Sequence, residues 1–122
     1  MPVLVTNNPL VESIYRDSTS VEYKDESLSS LLVRVRDHVH GGRRLLTHPL
    51  SGSVKPNETP YKSVLISDKY NDTDTQSVQI IEECLSAVRK FPPKPVPEDY
   101  LQDLQEVDLS LIRDAIDRDK RS

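Results

Sequence analysis

The chain has 122 residues, a formal charge of −4, 35% hydrophobic residues and only 5% aromatic ones, with no tryptophan. Such a length fits one modest domain with a small aliphatic core, and the acidic balance excludes a general nucleic-acid binder, which needs a basic face. The single cysteine, Cys84, excludes an internal disulfide and a cysteine-based metal cluster.

The chain starts with PVLVT (residues 2–6), a short β-branched run that reads as an interior strand, with no basic start or long apolar stretch that would mark a leader. In NNPLVESIY, Asn8 can cap free backbone amides and Pro9 suits the first helical position, so a helix follows with Leu10, Val11, Ile14 and Tyr15 on one face. TSVEYK (residues 19–24) alternates, with Val21 and Tyr23 inward, as an edge strand does. From Ser27, a cap, the apolar residues Leu28, Leu31, Leu32, Val35 and Val39 keep the helical period until Gly41-Gly42 ends it. His38 and His40 sit two apart near that end, too divergent on a helix to ligate one metal.

RLLT (residues 44–47) reads as a third strand and SVLIS (residues 63–67) as a fourth. TDTQ (residues 73–76) has the form of a capping box, and Val78, Ile81, Cys84, Leu85 and Val88 form the stripe of a third helix ending near Phe91. Cys84 on that stripe reads as a buried, inert thiol. Alternating strands and helices predict an α/β fold: a small three-layer, doubly wound, mostly parallel four-stranded sheet in the order 2-1-3-4, with a C-terminal helical extension. The fourth strand follows a long loop without a helix, which leaves its direction open.

FPPKPVPEDY breaks the composition, with four prolines between Phe91 and Pro97 forming a stiff linker. Beyond it Leu101, Leu104, Val107, Leu111 and Ala115, with Ile112 and Ile116 beside them, make an amphipathic helix with a break near Asp108. The division is an α/β domain at 1–91, a linker at 92–98 and a helical tail at 99–122. The tail must bury its stripe on its own body or on another chain, the latter giving a homo-oligomer.

In the predicted strand order, the first and third strands end beside each other and flank a crevice, where open α/β sheets place ligands. Residues 6–9 and 47–53 meet there, and the long proline-containing connection that follows is positioned to roof it. The candidate binding residues are Thr6, Asn7, Asn8, Thr47, His48, Ser51, Gly52, Ser53, Lys55, Asn57, Glu58, Tyr61 and Lys62. A helix start, Ser51-Gly52-Ser53 amides and hydroxyls, two lysines and a titratable His48 suit a small anion, a phosphate or carboxylate. The spacing is not that of a P-loop, and neither serine sits in a GxSxG elbow, so no residue is assigned as catalytic and no metal or cofactor is expected. The same residues equally suit a rigid, self-bonded loop that a partner recognises, with His48 pinning the loop.

Taken together, TNNPLV and LLTHPLSGSVKPNETPYKSVLIS resemble the GrdX family, small proteins encoded beside the glycine, sarcosine and betaine reductase components of amino-acid-fermenting anaerobes. The resemblance spans residues 3–91 and stops at Pro92. It implies an accessory part in reductase assembly, maturation or regulation, with the reductase components as partners, and assigns no reaction to any position. The expectation is a soluble cytoplasmic, non-catalytic accessory protein with a recognition loop at 47–62. The alternative is a small-anion or nucleotide-binding module, with hydrolase or transferase activity in reach, using the crevice between Asn7–Pro9 and residues 47–53. Neither reading involves nucleic acid or a membrane.

Overall fold

The structure is a computed structural model and describes residues 2–50 and 58–121. In chain order it contains β1 (Val3–Thr6), α1 (Pro9–Tyr15), β2 (Ser20–Tyr23), α2 (Leu28–His40), β3 (Ser63–Ile66), α3 (Thr75–Lys90), a 3₁₀ turn (Glu98–Tyr100) and α4 (Leu101–Arg121).

Local chemistry sets most of these boundaries. Asn8 Oδ1 accepts the Leu10 N–H at 3.0 Å to cap α1, and Ser27 Oγ accepts the Ser30 N–H at 3.2 Å to cap α2. Helix α2 closes on Gly41, and Gly42 follows at a φ of 106°, where an added Cβ would run into the Tyr70 carbonyl. Helix α3 is capped by Asp74, whose carboxylate accepts the Ser77 N–H at 3.2 Å, and not by Thr73 as the capping-box pattern suggests.

The sheet differs from the expected one. It has three strands in the order β2-β1-β3, with β1 parallel to β2 and antiparallel to β3, so the four-stranded, mostly parallel order 2-1-3-4 is overturned. Residues 44–47 form no strand and contribute a single bridge, Leu45 to Ile66, on the far side of β3.

Two physical reasons account for the exchange. Ser63–Ile66 is buried at every position and suits the place beside β1, where both faces are covered, whereas Leu46 is 43% exposed. In addition, Thr47 Oγ1 accepts the Leu65 N–H at 3.1 Å, supplying with a side chain the bond that a ladder carbonyl would make. Among the described residues between 45 and 63 there is no crossover helix, which parallel neighbours need.

Alternation along the strands sends side chains to two cores. Val5, Val64 and Ile66 pack with Leu31, Leu32, Val35 and Val39 of α2 and with Ile81, Cys84, Leu85 and Val88 of α3. On the opposite face Leu4 and Leu65 pack with Val11 and Tyr15 of α1 and Leu109, Ile112, Ala115 and Ile116 of α4. Each large aliphatic side chain so buried stabilises the fold by roughly 1.5–3 kcal/mol.

The C-terminal helix therefore docks on its own sheet. It runs unbroken through Asp108, where a break was expected, and its buried face keeps Ala115, Ile112 and Ile116 from the expected stripe but has Asp108 and Leu109 in place of Val107 and Leu111. Asp108, Leu109, Ile112, Ala115 and Ile116 face inward, while Val107 and Leu111 each stay 36% exposed.

Candidate functional site

The strand ends at Thr6 and Ser63, which are direct partners in the β1–β3 ladder, meet Asp108 of α4. All three are buried, as are Asn7 and Asn8. The Asn8 N–H donates to Thr6 Oγ1 at 3.0 Å, and Thr6 and Ser63 share a hydroxyl hydrogen bond of 2.7 Å. The Ser63 hydroxyl donates onward to Asp108 Oδ2 at 2.7 Å, so Thr6 is the donor in the hydroxyl pair. Asp108 also accepts the Ser63 N–H on Oδ1 at 3.0 Å and the Asn8 amide on Oδ2 at 3.0 Å. One carboxylate thus terminates a polarised chain of donors, the arrangement that makes a buried acid tolerable.

Burial pushes the Asp108 carboxyl up from its ordinary range, against the hydrogen bonds from Asn8 and Ser63 and the charge of Lys62, all of which favour its ionised form. Burial likewise pulls Lys62 down, and Asp108 opposes that shift. For both groups desolvation outweighs the attraction between them.

Asn7 works as a staple. Its side-chain amide donates to the Glu26 carbonyl at 3.0 Å and the Pro60 carbonyl at 2.8 Å, and its Oδ1 accepts the Lys62 N–H at 2.8 Å. Asn8 adds a bond to the Gln105 carbonyl of α4 at 2.9 Å. The Gln105 amide in turn donates to the Tyr61 hydroxyl at 3.0 Å. The long connection is thus fixed at its end by Asn7 and at its start by the Thr47–Leu65 bond.

The structure places the sequence-derived candidates unevenly. Thr6 reaches Ser63, Asn7 reaches Lys62 and Asn8 reaches Asp108, while Thr47 and His48 line with Lys62, Ser63 and Asp108 a crevice of about 20 Å³. The first strand and residues 44–47 are not neighbours, because β3 lies between them. His48 is exposed, and its Nδ1 accepts the Leu50 N–H at 3.1 Å. Glu58 stands 4.0 Å from Lys94 of the linker. Ser51, Gly52, Ser53, Lys55 and Asn57 lie outside the described residues.

A second crevice of about 10 Å³ opens on the Tyr61 side of Asp108. Spaces of this size hold about one water each. Among the described residues, the donors at the strand ends are met by the chain's own carboxylate.

Asp108, Ser63 and Gln105 were not among the candidates. Asp108 carried a signal: it is an acid on the helical row that continues to Ile112 and Ala115. A second polar cluster, at the β2 edge, also went unnoticed. Arg34 donates to the Thr6 carbonyl at 3.3 Å and pairs with Glu22 at 3.0 Å and with Glu26, while His38 Nε2 lies 2.8 Å from Glu22. Burial would raise the Glu22 carboxyl, yet His38 and Arg34 together hold it below its ordinary value. Cys84 is buried, and burial pushes its thiol up to about 11.

Fold and site define a small mixed α/β protein whose polar strand ends are closed by its own C-terminal helix. The chain belongs to the GrdX-like family: the family model described as GrdX-like protein matches residues 3–117. The matched span runs past Phe91, through the linker and into α4. Neither a curated protein nor a solved structure matches the chain. Among the described residues no helix is long and apolar enough to cross a membrane.

Proposed function

We propose that this chain is a non-catalytic accessory protein of the glycine, sarcosine and betaine reductase system, with residues 47–62 as its recognition loop. Membership of the GrdX-like family supports the association with glycine reductase systems. The observation that carries the recognition role is the anchoring of the loop by buried side chains. Asn7 bonds Pro60 and Lys62 at one end, and Thr47 bonds Leu65 at the other. The described ends of this long connection are held by buried side chains, and long loops on rigid scaffolds are where binding concentrates.

The polar groups beneath the loop support binding of a macromolecule more than of a small anion. Asp108 already takes the donors at the strand ends, where the anion reading would put its guest, and the adjoining crevice takes about one water.

The test is titration of the purified chain against purified glycine, sarcosine and betaine reductase components by calorimetry. Saturable binding to at least one component is expected, weakened by the His48→Ala and Glu58→Ala double variant. No binding to any component would overturn the reading. In parallel, thermal shift against phosphate, acyl phosphates, amino acids and nucleotides should show no stabilisation; a dose-dependent rise would instead establish the small-anion module.

A further inference from the structure

Helix α4 carries more apolar surface than its own body uses. Its inward face is filled by Leu109, Ile112, Ala115 and Ile116. Tyr100, Leu104, Val107 and Leu111 form a separate row, spaced four, three and four apart, the spacing of a coiled-coil seam. Tyr100 is 58% exposed, and Val107 and Leu111 are 36% exposed each. The row borders two hollows. Near the linker one of about 290 Å³ is walled by Pro95, Val96, Pro97, Tyr100 and Leu104, with Glu58, Lys94 and Asp103 at its rim, and farther along Leu104, Val107 and Leu111 face Thr59, Tyr61 and Lys62 across the small crevice beside Asp108.

Beside this seam runs a charged row. Asp103, Glu106, Asp114 and Asp117 are all exposed and recur at helical spacing one position off the apolar row. Arg113, also exposed, shares the acidic row, seven after Glu106 and four before Asp117, and Arg118 lies in line with the seam, so the row is acidic on balance. We propose that this face of α4 docks a basic amphipathic helix of a partner protein, its apolar side in the seam and its lysines or arginines against the acidic row. Seam spacing selects a helix as the guest, and the acid row selects its charge. An antiparallel pair of copies through the same seam would set the acidic row against its own image. The inference stands on α4 with the turn and linker before it and does not need the reductase assignment.

The experiment uses the full chain and two labelled heptad peptides, both with leucine at the a and d positions, one with lysine and one with glutamate at e and g. Fluorescence anisotropy should show saturable one-to-one binding of the lysine peptide and at least about tenfold weaker binding of the glutamate peptide. The Val107→Gln and Leu111→Gln double variant keeps the charge and should lower affinity for the lysine peptide about tenfold, as truncating an anchor does. Asp103→Asn with Asp114→Asn should weaken it as well. Circular dichroism checks the fold, and Tyr100→Gln, at the most exposed seam position, serves if the double variant is unstable. No binding of the lysine peptide overturns the proposal. So does binding unaffected by every seam substitution, which would mean attraction by charge alone. A concentration-dependent dimer abolished by the seam substitutions also overturns it, because the seam then belongs to a second copy.

Discussion

Ser63 and Asp108 hold each other through two hydrogen bonds, from the Ser63 N–H to Oδ1 at 3.0 Å and from the Ser63 hydroxyl to Oδ2 at 2.7 Å. They tie the first residue of β3 to the helix that covers the sheet. Because Ser63 is also the ladder partner of Thr6, the same contact fixes where β1, β3 and α4 meet.

Removing the carboxylate should therefore cost more than an ordinary surface change. Asp108→Ala leaves the Ser63 amide, the Ser63 hydroxyl and one Asn8 amide hydrogen without their acceptor. The expected loss is about 3 kcal/mol, read as a shift of the urea unfolding midpoint. Asp108→Asn keeps the shape and one acceptor oxygen, and should lose roughly half as much. Equal stability of wild type and Asp108→Ala would mean that the chain of hydroxyls does not depend on its terminus.

The same residue gives a pH signature. Its carboxyl is raised by burial from the ordinary value of 3.8, so in the folded state it keeps its proton to higher pH than in the unfolded chain. Between those two values the native state binds more protons, and stability falls as pH rises. The Asp108 contribution is fully present below the unfolded value and is lost through the folded one. Glu22 works in the opposite sense: its lowered carboxyl contributes stability above the ordinary value of 4.5 that is lost as pH falls. Urea unfolding from pH 4 upward should thus show a downward component that disappears in Asp108→Asn, while Glu22→Gln removes an upward one. The Glu22 effect should be small, about 1 kcal/mol or less, since its side chain is 40% exposed. An unchanged pH profile in Asp108→Asn would contradict the raised carboxyl.

The residues that the sequence made legible are those governed by local rules. Asn8, Ser27 and the apolar period of Leu28 to Val39 announce α1 and α2, because capping and burial act over a few residues. Strand order is different. Whether Val64-Leu65-Ile66 or Leu45-Leu46 sits beside β1 depends on which run can be buried on both sides, a competition between segments that no local pattern records. The Thr47 hydroxyl that takes the place of a ladder bond looks, as a letter, like any strand threonine. Asn7 and Asn8 stood out as polar residues at a strand end. Asp108, which accepts the Asn8 amide, lies 100 positions from it, on a helix whose expected stripe ran through Leu104, Val107 and Leu111.

Cys84 offers a probe of opening. Its thiol is buried against α2 and the sheet and pushed up to about 11, so little thiolate exists near neutral pH. Reaction with a disulfide reagent at pH 8 should be negligible in the native protein and complete in urea, with the native rate tracking unfolding as denaturant rises. Rapid labelling without denaturant would place the thiol at the surface and make a chemical role for it open to argument.

Truncation after Phe91 tests whether α4 is part of the core. Its loss uncovers Leu4, Val11, Tyr15 and Leu65, and leaves the Asn8 amide and Ser63 without Asp108. A sheet of three strands with one face covered only by the short helix α1 lacks the two-sided burial that its short strands need. The shortened chain should lose its cooperative unfolding transition and its near-ultraviolet dichroism, and expand or associate by size measurement. Milder changes grade the effect. Ile112→Ala and Ile116→Ala each delete buried methylenes at the centre of this interface, and each should cost about 2–4 kcal/mol. A monomeric 1–91 fragment that unfolds as cooperatively as the full chain would show instead that α4 is an appendage, and the Ser63–Asp108 contact an ornament of a domain already complete.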